Sequence, residues 1–166
     1  LSKPTETTKS LKVCVITVSD TRTEETDKSG KLIQNLLEEK NHKVIEKVIT
    51  KDSVDGIQGK INEFLKNEKI DVIITNGGTG ISRRDVTIEA VHPILDKEIP
   101  GFGEIFRTLS YYEDIGSSTI MSRAIAGVAH DKAIFVMPGS SGAVKLAMNK
   151  IILPELHHVV HEITKQ

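Results

Sequence analysis

Three glycines in four positions, Gly77, Gly78 and Gly80, followed by Arg83, Arg84 and Asp85, make the stretch of this sequence best equipped for chemistry. It reads IDVIITNGGTGISRRDVT over residues 70–87. Without β-carbons, the backbone N–H groups of such a loop can approach an anion closely. Arg83 and Arg84 add forked donors for phosphate, and Asp85 is suited to the Mg²⁺ that travels with a nucleotide. Two common nucleotide fingerprints are excluded. Gly80 is followed by ISRR rather than Gly-Lys-Ser/Thr, so this is not a Walker loop. In a G-x-G-x-x-G frame starting at Gly78, Arg83 occupies the third glycine position, where close helix packing demands a small residue. The glycines alone leave two readings open, an anion cradle and a turn that needs positive φ ahead of a charged helix start.

Asp52, in TKDS, is the second carboxylate of interest. An aspartate before a helix is ordinarily an N-cap, and Asp52 or its neighbour Ser53 can fill that role here. The segment PGSSG, residues 138–142, either binds phosphate through helix N-terminal N–H groups or turns the chain. His157 and His161 lie four apart but lack a third ligand and an H-E-x-x-H pattern, so a solvated helix face is the better reading. GSSG is not a G-x-S-x-G elbow, and no Ser/His/Asp set is evident.

These residues need a scaffold, and hydrophobic periodicity supplies one. LKVCVITVSD, HKVIEKVIT and IDVIIT read as buried strands, each followed by a polar turn. Leu32, Ile33, Leu36 and Leu37 stripe one helix; Val54, Ile57, Ile61, Phe64 and Leu65 stripe the next. After the glycine loop, Thr87 is placed to cap a helix that Pro93 should kink or shorten. A helix follows Gly101, with Phe102, Ile105, Phe106 and Leu109 at helical spacing. AIAGVAHDKAIFVMP predicts two strands around a polar turn, and the closing helices are expected to break at Pro154.

The alternation predicts a three-layer α/β/α domain with a mainly parallel sheet, a single domain over residues 11–166 preceded by a flexible polar arm over 1–10. In such a sheet ligands bind beyond the carboxyl ends of the strands. Ser19 and Asp20, Asp52, the glycine loop and PGSSG all fall at such ends and are expected to share one rim.

Composition narrows the partners. A formal net charge of -1 and 4% aromatic residues provide neither broad attraction for nucleic acid nor stacking platforms for bases. No stretch reaches the roughly 20 apolar residues of a membrane span, so no membrane partner is expected. The single cysteine, Cys14, excludes an intrachain disulfide and a four-cysteine zinc site, and suits a reducing cytoplasm.

The strings TNGGTGISRRDVTIEAV, EIPGFGEIFRTLS, TIMSRAIAGV and FVMPGSSGAVK, in this order, resemble the molybdenum cofactor biosynthesis family. That family includes the B protein and the molybdopterin adenylyltransferases. VSD followed by DKSG also fits, and the resemblance runs from about Leu11 to the C-terminal helices. It implies a molybdopterin-binding fold and transfer of AMP from Mg-ATP to molybdopterin, releasing pyrophosphate, with a non-catalytic pterin-binding or scaffold protein as the alternative. It also implies a homo-oligomer, trimer or hexamer with the hexamer favoured, and hand-over of product to a molybdenum insertase. By resemblance, Asp52 and Asp85 are the catalytic carboxylates, with Asp85 orienting Mg²⁺. Gly77, Gly78, Thr79 and Gly80 form the phosphate cradle. Ser19, Asp20, Arg84, Ser122, Arg123, Gly139, Ser140 and Ser141 are further ligand-binding candidates.

Overall fold

The structure is a computed structural model that describes residues 9–165; most of the expected polar arm therefore lies outside the described residues. One six-stranded sheet forms the middle layer. Its strands are β1 (Lys12–Val18), β2 (Lys43–Thr50), β3 (Val72–Asn76), β4 (Lys97–Glu98), β5 (Ile125–Ala129) and β6 (Lys132–Met137), in the order β2-β1-β3-β6-β5-β4. The four strands β2, β1, β3 and β6 run parallel; β5 pairs antiparallel with β6 and β4 antiparallel with β5, so β5 alone runs against the rest. The expected three-layer, mainly parallel architecture is what forms.

Strand alternation sends neighbouring side chains to opposite faces, so a buried β1 feeds two cores. Val13 and Val15 join Val72, Ile74, Phe135 and Met137 on one face, packed with α1 (Lys28–Glu39), α4 (Pro100–Glu113) and the C-terminal helices. Cys14 and Ile16 join Ile73, Ile134 and Val136 on the other, under α2 (Val54–Leu65) and α3 (Thr87–Val91). Burial pushes the Cys14 thiol up to about 12, which leaves it a small hydrophobe rather than a nucleophile.

Of the two residues able to cap α2, Ser53 does so, accepting from the Gly56 N–H at 2.9 Å. Two local expectations change. Thr87 does not cap α3: Val86 holds the cap position without a side-chain bond, and the Thr87 hydroxyl donates instead to the Gly77 carbonyl at 2.9 Å. Pro154 does not break the chain's last helix. Helix α5 (Ser141–Leu146) widens into π turns over Ala147–Ile152 and continues as α6 (Leu153–Thr164), with Pro154 in its first turn. A proline lacks the N–H for an α-helical bond and crowds the carbonyl four residues back; wider turns immediately before it relieve both problems. Pro93 behaves as expected, for α3 stops at Val91 and a 3₁₀ turn, His92–Ile94, takes over.

Candidate functional site

The four parallel strands end side by side, and their loops are tied to each other by main-chain hydrogen bonds. The Ser19 N–H donates to Thr50 O at 2.9 Å, joining the β1 and β2 ends; Gly77 N–H donates to Met137 O at 3.0 Å, joining β3 and β6. The Asp52 N–H donates to Asp20 Oδ1 at 3.0 Å, and Arg22 Nη2 reaches Gly139 O at 3.3 Å. The four loops expected to share a rim do share one.

Glycine is required twice in the β3 loop. Gly77 and Gly78 have φ of 96° and 69°, in the left-handed region. A β-carbon on Gly77 would collide with the Val18 carbonyl; one on Gly78 would collide with the Thr87 hydroxyl and lie 3.1 Å from Asp52 Oδ1. The missing side chain at Gly78 thus makes room for the Asp52 carboxylate. The N–H groups of Gly78, Thr79, Gly80 and Ile81 donate to no acceptor among the described residues, although Thr79 is buried. Backbone donors left unpaired in a row are suited to an oxyanion.

Both carboxylates bear on this loop. Asp85 turns back on it, with Oδ2 accepting from Ser82 N at 3.0 Å and Ser82 Oγ at 2.7 Å, while Oδ1 accepts nothing from the described residues. A β-carbon on Gly80 would sit 2.7 Å from Asp85 Oδ2. The Asp52 side chain accepts no hydrogen bond among the described residues. Partial burial raises its pKa above the ordinary carboxylate value, and the nearby negative charge of Asp85 raises it further. A cation between the two would relieve both effects. Among the described residues no three His, Cys, Asp or Glu side chains gather to hold a metal by themselves. One or two carboxylates with substrate phosphates is the donor set that suits Mg²⁺, so the residues present fit that ion when a nucleotide brings it.

The other candidates divide. Arg84 is ion-paired with Asp20 and largely exposed at the rim. Ser19 Oγ accepts from Thr21 N and Arg22 N, shaping its own loop, and Ser140 caps α5 by accepting from Ala143 N at 3.2 Å. Ser141 is exposed at the helix start, and Ser122 ends the 3₁₀ segment Gly116–Met121. Arg123 reaches the glycine loop, donating to Thr79 O and Gly80 O, and pairs with Glu89. The Glu89 carboxylate is held below its usual pKa mainly by the hydrogen bond from Arg123.

Sequence reasoning missed the layer beneath the rim. Asp27, buried, accepts from Thr17 Oγ1 at 2.7 Å and Gly30 N at 3.0 Å. Ser29 Oγ donates to Asn76 Oδ1 at 2.6 Å, and Arg22 Nη1 donates to Ser29 Oγ. The available signal was polar Thr17 and Asn76 inside otherwise apolar strands, since buried polar groups require partners. A cavity of about 620 Å³ elsewhere, lined by Phe102, Ile105, Phe135, Ile152, Val159 and Ile163 among others, includes none of the rim residues.

A doubly covered, mainly parallel sheet with an unpaired N–H loop and two carboxylates at its carboxyl rim defines a class, the α/β proteins whose ligand sites form at strand ends. The chain belongs to the molybdenum cofactor biosynthesis family: residues 14–158 match the family model described as a probable molybdopterin binding domain. It is 62% identical over 151 residues to the molybdenum cofactor biosynthesis protein B of Bacillus subtilis (strain 168), covering 91% of this chain and 89% of that one. It resembles a crystal structure of a molybdenum cofactor biosynthesis protein B with a TM-score of 0.94 and 56% identity, over 97% of this chain and 100% of the other. The tungsten cofactor synthesizing protein MoaB from Pyrococcus furiosus is similar at a TM-score of 0.84 and 38% identity, over 95% and 99% of the two chains.

Proposed function

We propose that this protein acts in molybdenum cofactor biosynthesis as a molybdopterin adenylyltransferase. The phosphate oxygen of molybdopterin attacks the α-phosphorus of ATP, the new P–O–P linkage forms, and pyrophosphate leaves with the electron pair of the broken bond. The observation that carries the reading is the placement of Asp52 and Asp85 against the glycine loop whose N–H groups lack protein acceptors. The N–H groups of Gly78 to Ile81 hold phosphate oxygens, and Arg84 adds positive charge at the rim. Asp52 and Asp85 would hold Mg²⁺, which supplies charge neutralisation for the triphosphate. In-line positioning and electrostatic stabilisation are the main demands of phosphoryl-type transfer, and this rim is built for both. The exposed apolar residues Tyr111, Tyr112, Ile115, Ile120 and Met121 support self-association as part of the proposal.

The test is incubation of the protein with molybdopterin and Mg-ATP, followed by detection of adenylylated molybdopterin and pyrophosphate. Asp85→Asn should reduce product formation at least about 100-fold, the scale of losing a principal electrostatic contact in a transition state. Wild-type protein that binds the pterin and releases no pyrophosphate would overturn the enzymatic reading and leave a carrier.

A further inference from the structure

Arg123 lies just ahead of β5, far along the chain from the glycine loop, yet its guanidinium is committed to that loop. Nε donates to Thr79 O at 3.0 Å and Gly80 O at 3.1 Å; Nη2 donates to Gly80 O at 2.8 Å and Asp85 O at 3.2 Å. Nη1 and Nη2 also bind Glu89 on α3, at 2.5 and 3.2 Å. Every nitrogen of the group therefore has a protein partner. In a trans peptide the C=O of one residue points opposite to the N–H of the next. Holding the Thr79 and Gly80 carbonyls toward Arg123 turns the Gly80 and Ile81 N–H groups away from it, and these are among the unpaired donors of the rim.

We propose that Arg123, backed by Glu89, is a positioning residue that sets the glycine loop's N–H groups for phosphate and itself touches neither nucleotide nor pterin. This rests on the proposed adenylyl transfer for its catalytic consequence and on loop geometry alone for its structural one. A lysine keeps the charge but concentrates its donors on a single nitrogen, so it cannot span three carbonyls and Glu89 together. A cavity of about 400 Å³ beside Arg123, also lined by Glu98, Glu104 and Arg107, leaves space for the replacement.

The experiment combines hydrogen–deuterium exchange with steady-state adenylylation kinetics on wild type, Arg123→Lys and Glu89→Gln. In Arg123→Lys, exchange of the loop's hydrogen-bonded amides, Gly77, Ser82 and Asp85, should quicken roughly tenfold while that of β1 and β6 stays at the wild-type rate, since only a local opening free energy changes. Its kcat/KM for Mg-ATP should fall roughly 30-fold, and that of Glu89→Gln roughly threefold, as preorganisation of the N–H donors is lost. A direct phosphate ligand predicts the opposite sign for Glu89→Gln, because freeing the guanidinium would tighten Mg-ATP binding. Wild-type exchange at Gly77, Ser82 and Asp85 in Arg123→Lys, or tighter Mg-ATP binding by Glu89→Gln, overturns the proposal. An inert wild type would sink the adenylyl-transfer reading while the exchange result still decides the clasp.

Discussion

The two glycine-bearing loops at the rim, one after β3 and one after β6, look alike in sequence and are held by different means. In the β3 loop the backbone itself is unusual: Gly77 and Gly78 adopt positive φ, and β-carbons there would meet the Val18 carbonyl and the Thr87 hydroxyl. In the β6 loop Gly139 has no such backbone demand, and a β-carbon would come to 3.3 Å from Gly77 Cα. That loop is set by side chains instead, through Ser140 capping α5 and Arg22 reaching the Gly139 carbonyl. A glycine cluster therefore does not identify one device. In the first loop glycine is a conformational necessity, and in the second it mainly permits close packing.

The comparison can be broken by measuring stability in urea. Gly77→Ala should show the largest loss, about 3 kcal/mol, from a strained φ together with a backbone collision. Gly139→Ala should cost less than about 1 kcal/mol, because a neighbour at that distance has only to give slightly. The reverse order would remove the distinction. Arg22→Ala should cost about 2 kcal/mol, since it deprives buried Asp27 of a guanidinium 3.8 Å away and releases both Ser29 and the Gly139 carbonyl. Ser140→Ala should cost about 1 kcal/mol through loss of the α5 cap. If both substitutions are silent, side chains do not hold the second loop.

The smallest effect concerns pH. The Asp52 pKa is raised in the folded protein, so the native state binds its proton more tightly than the unfolded chain does. Its contribution to stability falls as pH rises from the ordinary carboxylate value of 3.8 through the raised one, and stays unfavourable above. Asp52→Asn should melt slightly higher than wild type at pH 7, with the difference vanishing below the ordinary value. Thermal melts at several pH values check this, and a lower melting temperature for Asp52→Asn at pH 7 would contradict it.

Much of the scaffold could be read from pattern alone. Runs such as KVCVITV and the helical stripe of Ile57, Ile61, Phe64 and Leu65 carry their period in every residue, so element type follows locally. The glycine loop with Arg83, Arg84 and Asp85 was legible from residue type as a place for an anion and its metal, whereas Asp52 in TKDS read as a cap until the family resemblance gave it a second role. Choices among equivalent neighbours were not legible. Asp52 and Ser53 are both good caps, and only the path of the chain into α2 assigns the bond to Ser53 and leaves Asp52 for the rim. Thr87 is a plausible cap until a loop carbonyl ten residues earlier comes within 2.9 Å. Pro154 reads as a break because sequence pattern does not reveal that π turns can absorb it.

The sequence by itself determined the mainly parallel α/β scaffold, the end of the sheet at which the glycine loop and both carboxylates gather and the residues with chemistry to offer, because periodicity and residue type act over a few positions. Only the tertiary structure decided how those residues are used. The Asp27, Ser29 and Asn76 network under the rim, the reach of Arg22 to Gly139 and the hold of Arg123 on Thr79 and Gly80 join residues 43 or more apart, apart from the local Asp27–Ser29 step. Such contacts exist only once the strands are side by side, and within the buried network the hydrogen bonds form because polar groups there have no water as an alternative partner.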